Sequence, residues 1–373
     1  MHGAVDVQAV GVIALILIAA VLSIELNISV AILEILAGLA AGIWFLGEGH
    51  SHQWLEFLAN FGLIGLMFFA GFETDEELLR KYWRESLIIA LSSYLIPLTA
   101  TFLVTYFLFS FEFKAAAMVG IGLSTTSLAL VYTILRERGA LQAEWGQLLL
   151  ASAMFVDVFC MLSLTLAFEG ISWWAALALL PLAGTLLALP RLGNWVFSRY
   201  SGDLVELKTR FVLLMLLALV LVAESVGVHV ALLAFVTGVV FSEMMQQHEI
   251  LEEKLRSIIF GFMAPLFFFQ AGASIELDNL RGSVLLFFAV MTVLVFGIKY
   301  AATYFPMRRI AGKPLARLAA LAFNYQLSFS IIVASFGLRE GVFSEAVYSA
   351  MMCVVLVTVV ASSVLLRVLP HEI

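Results

Sequence analysis

The sequence predicts an all-α protein that crosses a membrane thirteen times, and three observations predict it. Of its 373 residues, 63% are hydrophobic and 13% charged, with a mean hydropathy of +1.05; soluble domains hold about 45–50% apolar and about 25% charged residues. The apolar residues gather into thirteen segments, near 6–22, 28–47, 54–72, 86–110, 115–135, 146–168, 171–189, 208–227, 230–245, 257–275, 283–306, 316–337 and 344–367. Their lengths suit helices that rise about 1.5 Å per residue through an apolar layer about 30 Å thick. The basic residues divide unevenly between alternate connections. Those after odd-numbered spans hold Arg80, Lys81, Arg84, Arg136, Arg138, Arg191, Arg199, Lys208, Arg210, Lys254, Arg256, Arg308, Arg309, Lys313, Arg317 and Arg367. Those after even-numbered spans hold Lys114, Arg281 and Arg339, and Lys299 lies inside a span. The positive-inside rule makes the odd-following connections cytoplasmic, the N-terminus external and the C-terminus internal. One span more or fewer would scramble this asymmetry.

Several classes are disfavoured. A net charge of −7 with no basic stripe argues against a nucleic-acid partner. Cys160 and Cys353 lie in apolar runs and read as small core residues rather than a disulfide. Met1 to Gln8 contains no lysine or arginine, which argues against a cleaved signal peptide. No Walker loop occurs in a cytoplasmic segment, so ATP-driven pumping is not expected. No nucleophile–base pair or metal cluster stands out, and no enzyme or cofactor is expected; His50 and His52 are too sparse for a metal site, and His229 falls in another outer loop.

Taken in order, the spans differ in their polar content. Span 2 carries Glu34 in its cytoplasmic third, and span 3 runs into Glu73, Asp75, Glu76 and Glu77, which read as a solvated inner loop. Span 5 carries Ser124, Thr125, Thr126 and Ser127 near its centre, after Gly120 and Gly122. Span 6 carries Asp157, with its nearest charges, Glu144 and Glu169, twelve or more residues away. That places a carboxylate near the bilayer midplane, where it costs roughly 3 kcal/mol by insertion scales and marks an ion or proton pathway by default. Span 7 reads as a linker, followed over 190–207 by a surface segment with Arg191, Trp195, Phe197 and Arg199. Span 8 has Glu224 near its outer end. Span 11 has Lys299 some seven residues before its cytoplasmic end, placed either to snorkel or to face the core. Span 12 carries Asn324, Tyr325, Gln326, Ser328 and Ser330.

With span 7 set aside, spans 1–6 and 8–13 form two six-helix units that enter the membrane from opposite sides, an inverted repeat. Spans 5 and 12 are counterparts, and both carry polar interruptions. Paired interruptions of this kind point to a midplane binding site with unwound backbone.

In this order and spacing the chain resembles the monovalent cation:proton antiporter-2 family, with its Kef-type potassium and Nap-type sodium antiporters. The resemblance rests on Glu34-Ile35-Leu36-Ala37-Gly38, Gly71-Phe72-Glu73, Ser124-Thr125-Thr126-Ser127 and Asp157. Ala234-Phe235 with Thr237-Gly238, Pro265-Leu266-Phe267-Phe268 with Gly272, and Lys299 complete it. It implies the Nha/Nap-type antiporter fold, with spans 5 and 12 unwound and crossing near the aspartate. It implies a dimerising scaffold, 1–75 with 208–275, and a core transport domain, 86–168 with 283–367, which 171–207 links. It also implies elevator-type movement of the core and a place in the cell membrane. Electrogenic relatives have two adjacent aspartates on span 6; here the first is Val156.

The expected activity is exchange of Na⁺ or K⁺ for H⁺ at Asp157. Hydroxyls from Thr125, Thr126 or Ser152, freed carbonyls and water would help hold the cation, and Lys299 would balance charge. One carboxylate suggests electroneutral exchange. An organic-anion symporter of similar fold, kept open by Asn324 and Gln326, and a channel or non-transporting membrane sensor are the other readings.

Overall fold

The structure, a computed structural model, describes residues 2–26, 29–46, 53–73, 80–169, 191–193, 195–200, 206–226, 230–246 and 248–368. The expected seventh span, most of the 171–207 linker, Asp75 to Glu77, His50, His52, His229 and the side chain of Glu224 lie outside them.

Every long element is a helix. In chain order they are α1 (His2–Leu26), α2 (Val30–Ala41, continued by a π turn Gly42–Leu46), α3 (Gln53–Phe72), α4 (Trp83–Leu103, continued by a π turn Val104–Leu108), α5 (Phe113–Leu123), α6 (Leu128–Glu137) and α7 (Glu144–Glu169). Then follow α8 (Leu207–Val226), α9 (Val230–Gln246), α10 (Glu249–Ile258), a π turn Ile259–Met263, α11 (Ala264–Ala273), α12 (Ser283–Phe323), α13 (Ser328–Arg339) and α14 (Glu345–Val368). Among the described residues, seven helical stretches are long and apolar enough to cross a membrane. Large apolar side chains point outward from many helices, with Trp44 82% and Val293 76% exposed, as lipid rather than water requires.

The expected break between spans 11 and 12 falls within 307–315, and it is short. Here α12 is two helices that meet at Gly312, whose backbone is non-helical (φ 84, ψ 177). Glycine adopts this left-handed backbone without a Cβ clash, and Pro314 just beyond it is pre-set for the first turn of the next helix.

The chain divides into two compact units. Unit 1 comprises Met1–Leu26, Val30–Thr74 and Phe168–Ala273; unit 2 comprises Asn27–Ser29, Asp75–Ala167 and Ser274–Ile373.

In unit 1, α2 packs on α11 and α3 on α9. A Cβ added to Gly38 would strike the Phe269 carbonyl, and one added to Gly272 would strike the Ile35 carbonyl. The other pair repeats the pattern, Gly71 against the Phe235 carbonyl and Gly238 against the Phe68 carbonyl. Each glycine meets the residue three places before its partner glycine. In a membrane, helices associate by close packing rather than by the hydrophobic effect, and small residues permit that approach. Phe68, Phe69, Phe241, Phe267 and Phe269 fill the surrounding core and are essentially fully buried.

In unit 2, α12 packs along α4 and α14, and α5 packs against α13. The core here includes buried polar side chains: Ser124, Thr125, Ser152, Lys299, Asn324, Gln326 and Ser330 are all 0% exposed. Buried polar groups at this density require partners, and those partners define the site.

Candidate functional site

Two helices stop in the middle of apolar segments. The first stops at Leu123 and resumes at Leu128, with Ser127 extended (φ −84, ψ 108). The second stops at Phe323 and resumes at Ser328. Side chains that hydrogen-bond locally to backbone weaken a helix at such points. Here the residue after each stop bonds back four places: Ser124 Oγ donates to Gly120 O (2.7 Å) and Asn324 Nδ2 to Ala320 O (2.9 Å).

The two interruptions bond to each other. Ser127 N donates to Tyr325 O at 2.6 Å. Thr126 Oγ1 donates to Phe323 O at 3.2 Å. Ser330 Oγ donates to Gly122 O at 2.6 Å, and the hydroxyls of Thr125 and Ser330 lie 2.7 Å apart. Backbone groups released from the helices thus find partners across the crossing, which is the condition for non-helical backbone at membrane depth.

Lys299 joins this crossing. Its side chain is fully buried, and Nζ donates to the carbonyls of Ser124 (2.7 Å) and Thr125. It therefore faces the core and does not snorkel. A cation at these carbonyls sits at the C-terminal, negative end of the α5 dipole. Thr303, one turn on, donates to Lys299 O at 3.0 Å.

Asp157 lies on α7 and is 3% exposed. Cys160, one turn beyond, is a fully buried free thiol, and Val156 is fully buried. Ser152 Oγ donates to Leu148 O at 2.7 Å within α7. Of the residues singled out in the sequence, Ser124, Thr125, Thr126, Ser127, Lys299, Tyr325 and Ser330 are joined directly by hydrogen bonds at or across the crossing. Ser328 opens α13.

Unit 1 holds two carboxylates of note. Glu34 is 3% exposed on α2, which packs against α1 and α11. Glu73, expected to be solvated, instead accepts from Arg256 at 3.0 Å. Arg256 also holds Glu252 (3.1 Å) and covers the rings of Phe69 and Phe260. Burial pushes the Glu73 carboxyl above the usual carboxylate range, against the opposing pull of Arg256. Nothing local in the sequence announces a pair 183 residues apart.

The family described as "Sodium/hydrogen exchanger, transmembrane" matches residues 11–369. The "Probable Na(+)/H(+) antiporter 3" of Methanocaldococcus jannaschii is 27% identical over 354 residues, 91% of this chain and 88% of the relative. The "Na(+)/H(+)-K(+) antiporter GerN" of Bacillus cereus is 25% identical over 365 residues, 93% of this chain and 91% of the relative. The solved structure of the sodium proton antiporter MjNhaP1 from Methanocaldococcus jannaschii superposes with a TM-score of 0.69 at 15% identity, covering 98% of this chain and 95% of that one; this establishes a shared fold.

Proposed function

We propose that this chain, which belongs to the sodium/hydrogen exchanger family, carries Na⁺ or K⁺ against H⁺ with Asp157 as the group for which both ions compete. It is a multi-pass membrane transporter and not an enzyme. Two observations support the assignment of the site: Asp157 and Lys299 are both buried in the same unit, and the Lys299 amine is bonded to the carbonyls of an interrupted helix.

The chemistry follows from burial. A bare carboxylate in a dry site is costly, so it is neutralised by a proton or by a metal cation. A proton on the carboxyl blocks the cation, and the cation displaces the proton. Thr125, Thr126 and Ser152 suit the second role. Thr126 and Ser152 direct their hydrogens to carbonyls, and Thr125 has the Ser330 hydroxyl to donate to. Lone pairs on these oxygens stay available to a hard cation. Lys299 fixes the crossing and supplies a counter-charge.

We read the two halves as an inverted repeat. Leu123 and Phe323 end the first half-helices, and Leu128 and Ser328 start the second, a separation of 200 residues in both cases. The reciprocal glycine contacts of unit 1 have the same relation: Gly38 and Gly238 also differ by 200. On this reading unit 1 is a scaffold that dimerises, unit 2 is the moving transport domain, and access alternates by an elevator movement in the cell membrane. The N-terminus is external and the C-terminus cytoplasmic. Val156 in place of a second acid makes exchange electroneutral, one proton for one cation.

The test is purified protein in liposomes with a pH-sensitive dye, challenged in turn with Na⁺, K⁺, Li⁺ and an organic anion. Proton movement driven by an alkali cation in wild type and absent in Asp157→Asn supports the reading. Wild-type exchange in Asp157→Asn overturns it.

A further inference from the structure

The two interruptions match in length, but their side chains are engaged differently. At the first, the hydroxyls of Ser124, Thr125 and Thr126 all have partners, and Lys299 occupies two carbonyls. At the second, Asn324 commits its Nδ2 to Ala320 O, yet its Oδ1 meets no donor among the described residues. Gln326 is 0% exposed, and neither Oε1 nor Nε2 finds a protein partner among them. The backbone does not demand an amide there. Counting 200 residues back, Gln326 stands where the first interruption has Thr126, whose hydroxyl closes onto Phe323 O. A buried amide with no partner is markedly less stable than an apolar side chain of similar shape, so in native proteins such groups have a bonding role that the chain alone does not fill.

We propose that Gln326 Oε1 and Asn324 Oδ1 are ligands to the transported alkali cation, supplied by the second interruption. The proposal rests on the exchange reading above and adds the second half of the ligand set to it. Amide oxygens are hard, neutral donors of the kind alkali and alkaline-earth ions take. They strengthen cation binding without adding a group that titrates, so the count of one carboxylate per cation is kept. The bonds Ser127 N to Tyr325 O and Thr126 Oγ1 to Phe323 O hold the chain on either side of these amides at the crossing. The Nε2 donor of Gln326, useless to a cation, suits a water of the cation's shell.

The experiment compares wild type, Gln326→Leu, Gln326→Met and Asn324→Ala by two readouts. One is the KM for Na⁺ and K⁺ in liposome exchange. The other is the cation concentration giving half of the cation-induced rise in melting temperature of the detergent-solubilised protein. Loss of a ligand is expected to raise both by about tenfold for the exchanged cation, with a smaller change in Vmax. In cation-free buffer, Gln326→Leu is expected to melt no lower than wild type, because a partnerless amide is gone. If Gln326→Leu does not fold, Gln326→Met and Asn324→Ala decide. Half-points and KM within about twofold of wild type in the folded variants overturn the proposal. If wild type moves no protons with any alkali cation, the exchange reading fails, and the melting half-points still decide whether these amides bind a cation.

Discussion

Both units contain crossings of chain on chain, and the two kinds are built in opposite ways. In unit 1, helices stay intact and touch backbone to backbone because Gly38, Gly71, Gly238 and Gly272 carry no side chain. The four helices run unbroken through these contacts. In unit 2, the helices themselves dissolve at 124–127 and 324–327, and the freed groups bond to each other, to Lys299 and to hydroxyls. Removing side chains makes a crossing rigid and dry. Removing helix makes a crossing polar, and its partners can be exchanged. On the proposed reading, stability and ion chemistry belong to different crossings, and substitutions should separate them.

The largest effect on transport is expected at Asp157. Asp157→Asn should abolish cation-driven proton movement in liposomes while the protein purifies as a folded species, with a melting temperature equal to or above wild type, since a buried charge is gone. Glycine crossings should behave in reverse. Gly71→Val or Gly38→Leu forces a side chain onto a carbonyl, and overpacking costs typically about 1–3 kcal/mol, occasionally more. Lower yield and melting temperature should result, with the KM for cation unchanged in whatever folds; a raised KM with unaltered melting would break the comparison. Lys299→Gln should affect both, because it removes a counter-charge and a clasp on two carbonyls. A melting temperature lowered in step with the exchange rate is the expected result, and a silent substitution would remove Lys299 from the crossing.

A smaller effect concerns Glu73. Its folded-state proton affinity is raised by burial, so at pH values between the ordinary carboxylate range and its raised value the folded protein keeps a proton that the unfolded chain has released. Stability should fall as pH rises through that window, and Glu73→Gln should flatten this slope in melting curves. The smallest expected effect is zero. With Val156 beside Asp157, clamping the membrane potential at several values should leave the steady-state cation gradient unmoved, where a net charge per cycle would feel about 2.3 kcal/mol per 100 mV.

The polar crossing and the dry ones differ in how far the sequence discloses them. Ser124 to Ser127 and Asn324 to Ser330 stand out because hydroxyls and amides are conspicuous in apolar runs, and Asp157 is conspicuous for the same reason. Lys299 left two placements open: its distance from the span end suits a snorkelling amine as well as a buried one, and only the Ser124 and Thr125 carbonyls, 175 and 174 residues away, decide between them. The glycine crossings carry no comparable signal. Glycine is common in membrane helices, and which carbonyl it meets depends on a partner far along the chain. The π turns were likewise hidden, and basic residues around Gly312 do not disclose how short the break between the two helices of α12 is.

The bonds that hold the crossing join residues 174 to 208 positions apart. That separation has a consequence for biosynthesis. At about 5–20 residues per second, the ribosome needs on the order of 10–40 s to reach Tyr325 after making Thr125. Throughout that interval the cross-chain partners that 124–127 has in the finished fold do not yet exist. Lys299, which takes the carbonyls of Ser124 and Thr125, is itself made only shortly before the second interruption. The half-made chain therefore depends on water or on the insertion machinery to shield its midplane until the second half arrives. A translation arrest between residues 169 and 299 should leave a nascent chain more exposed to membrane proteases than an arrest after Ser330.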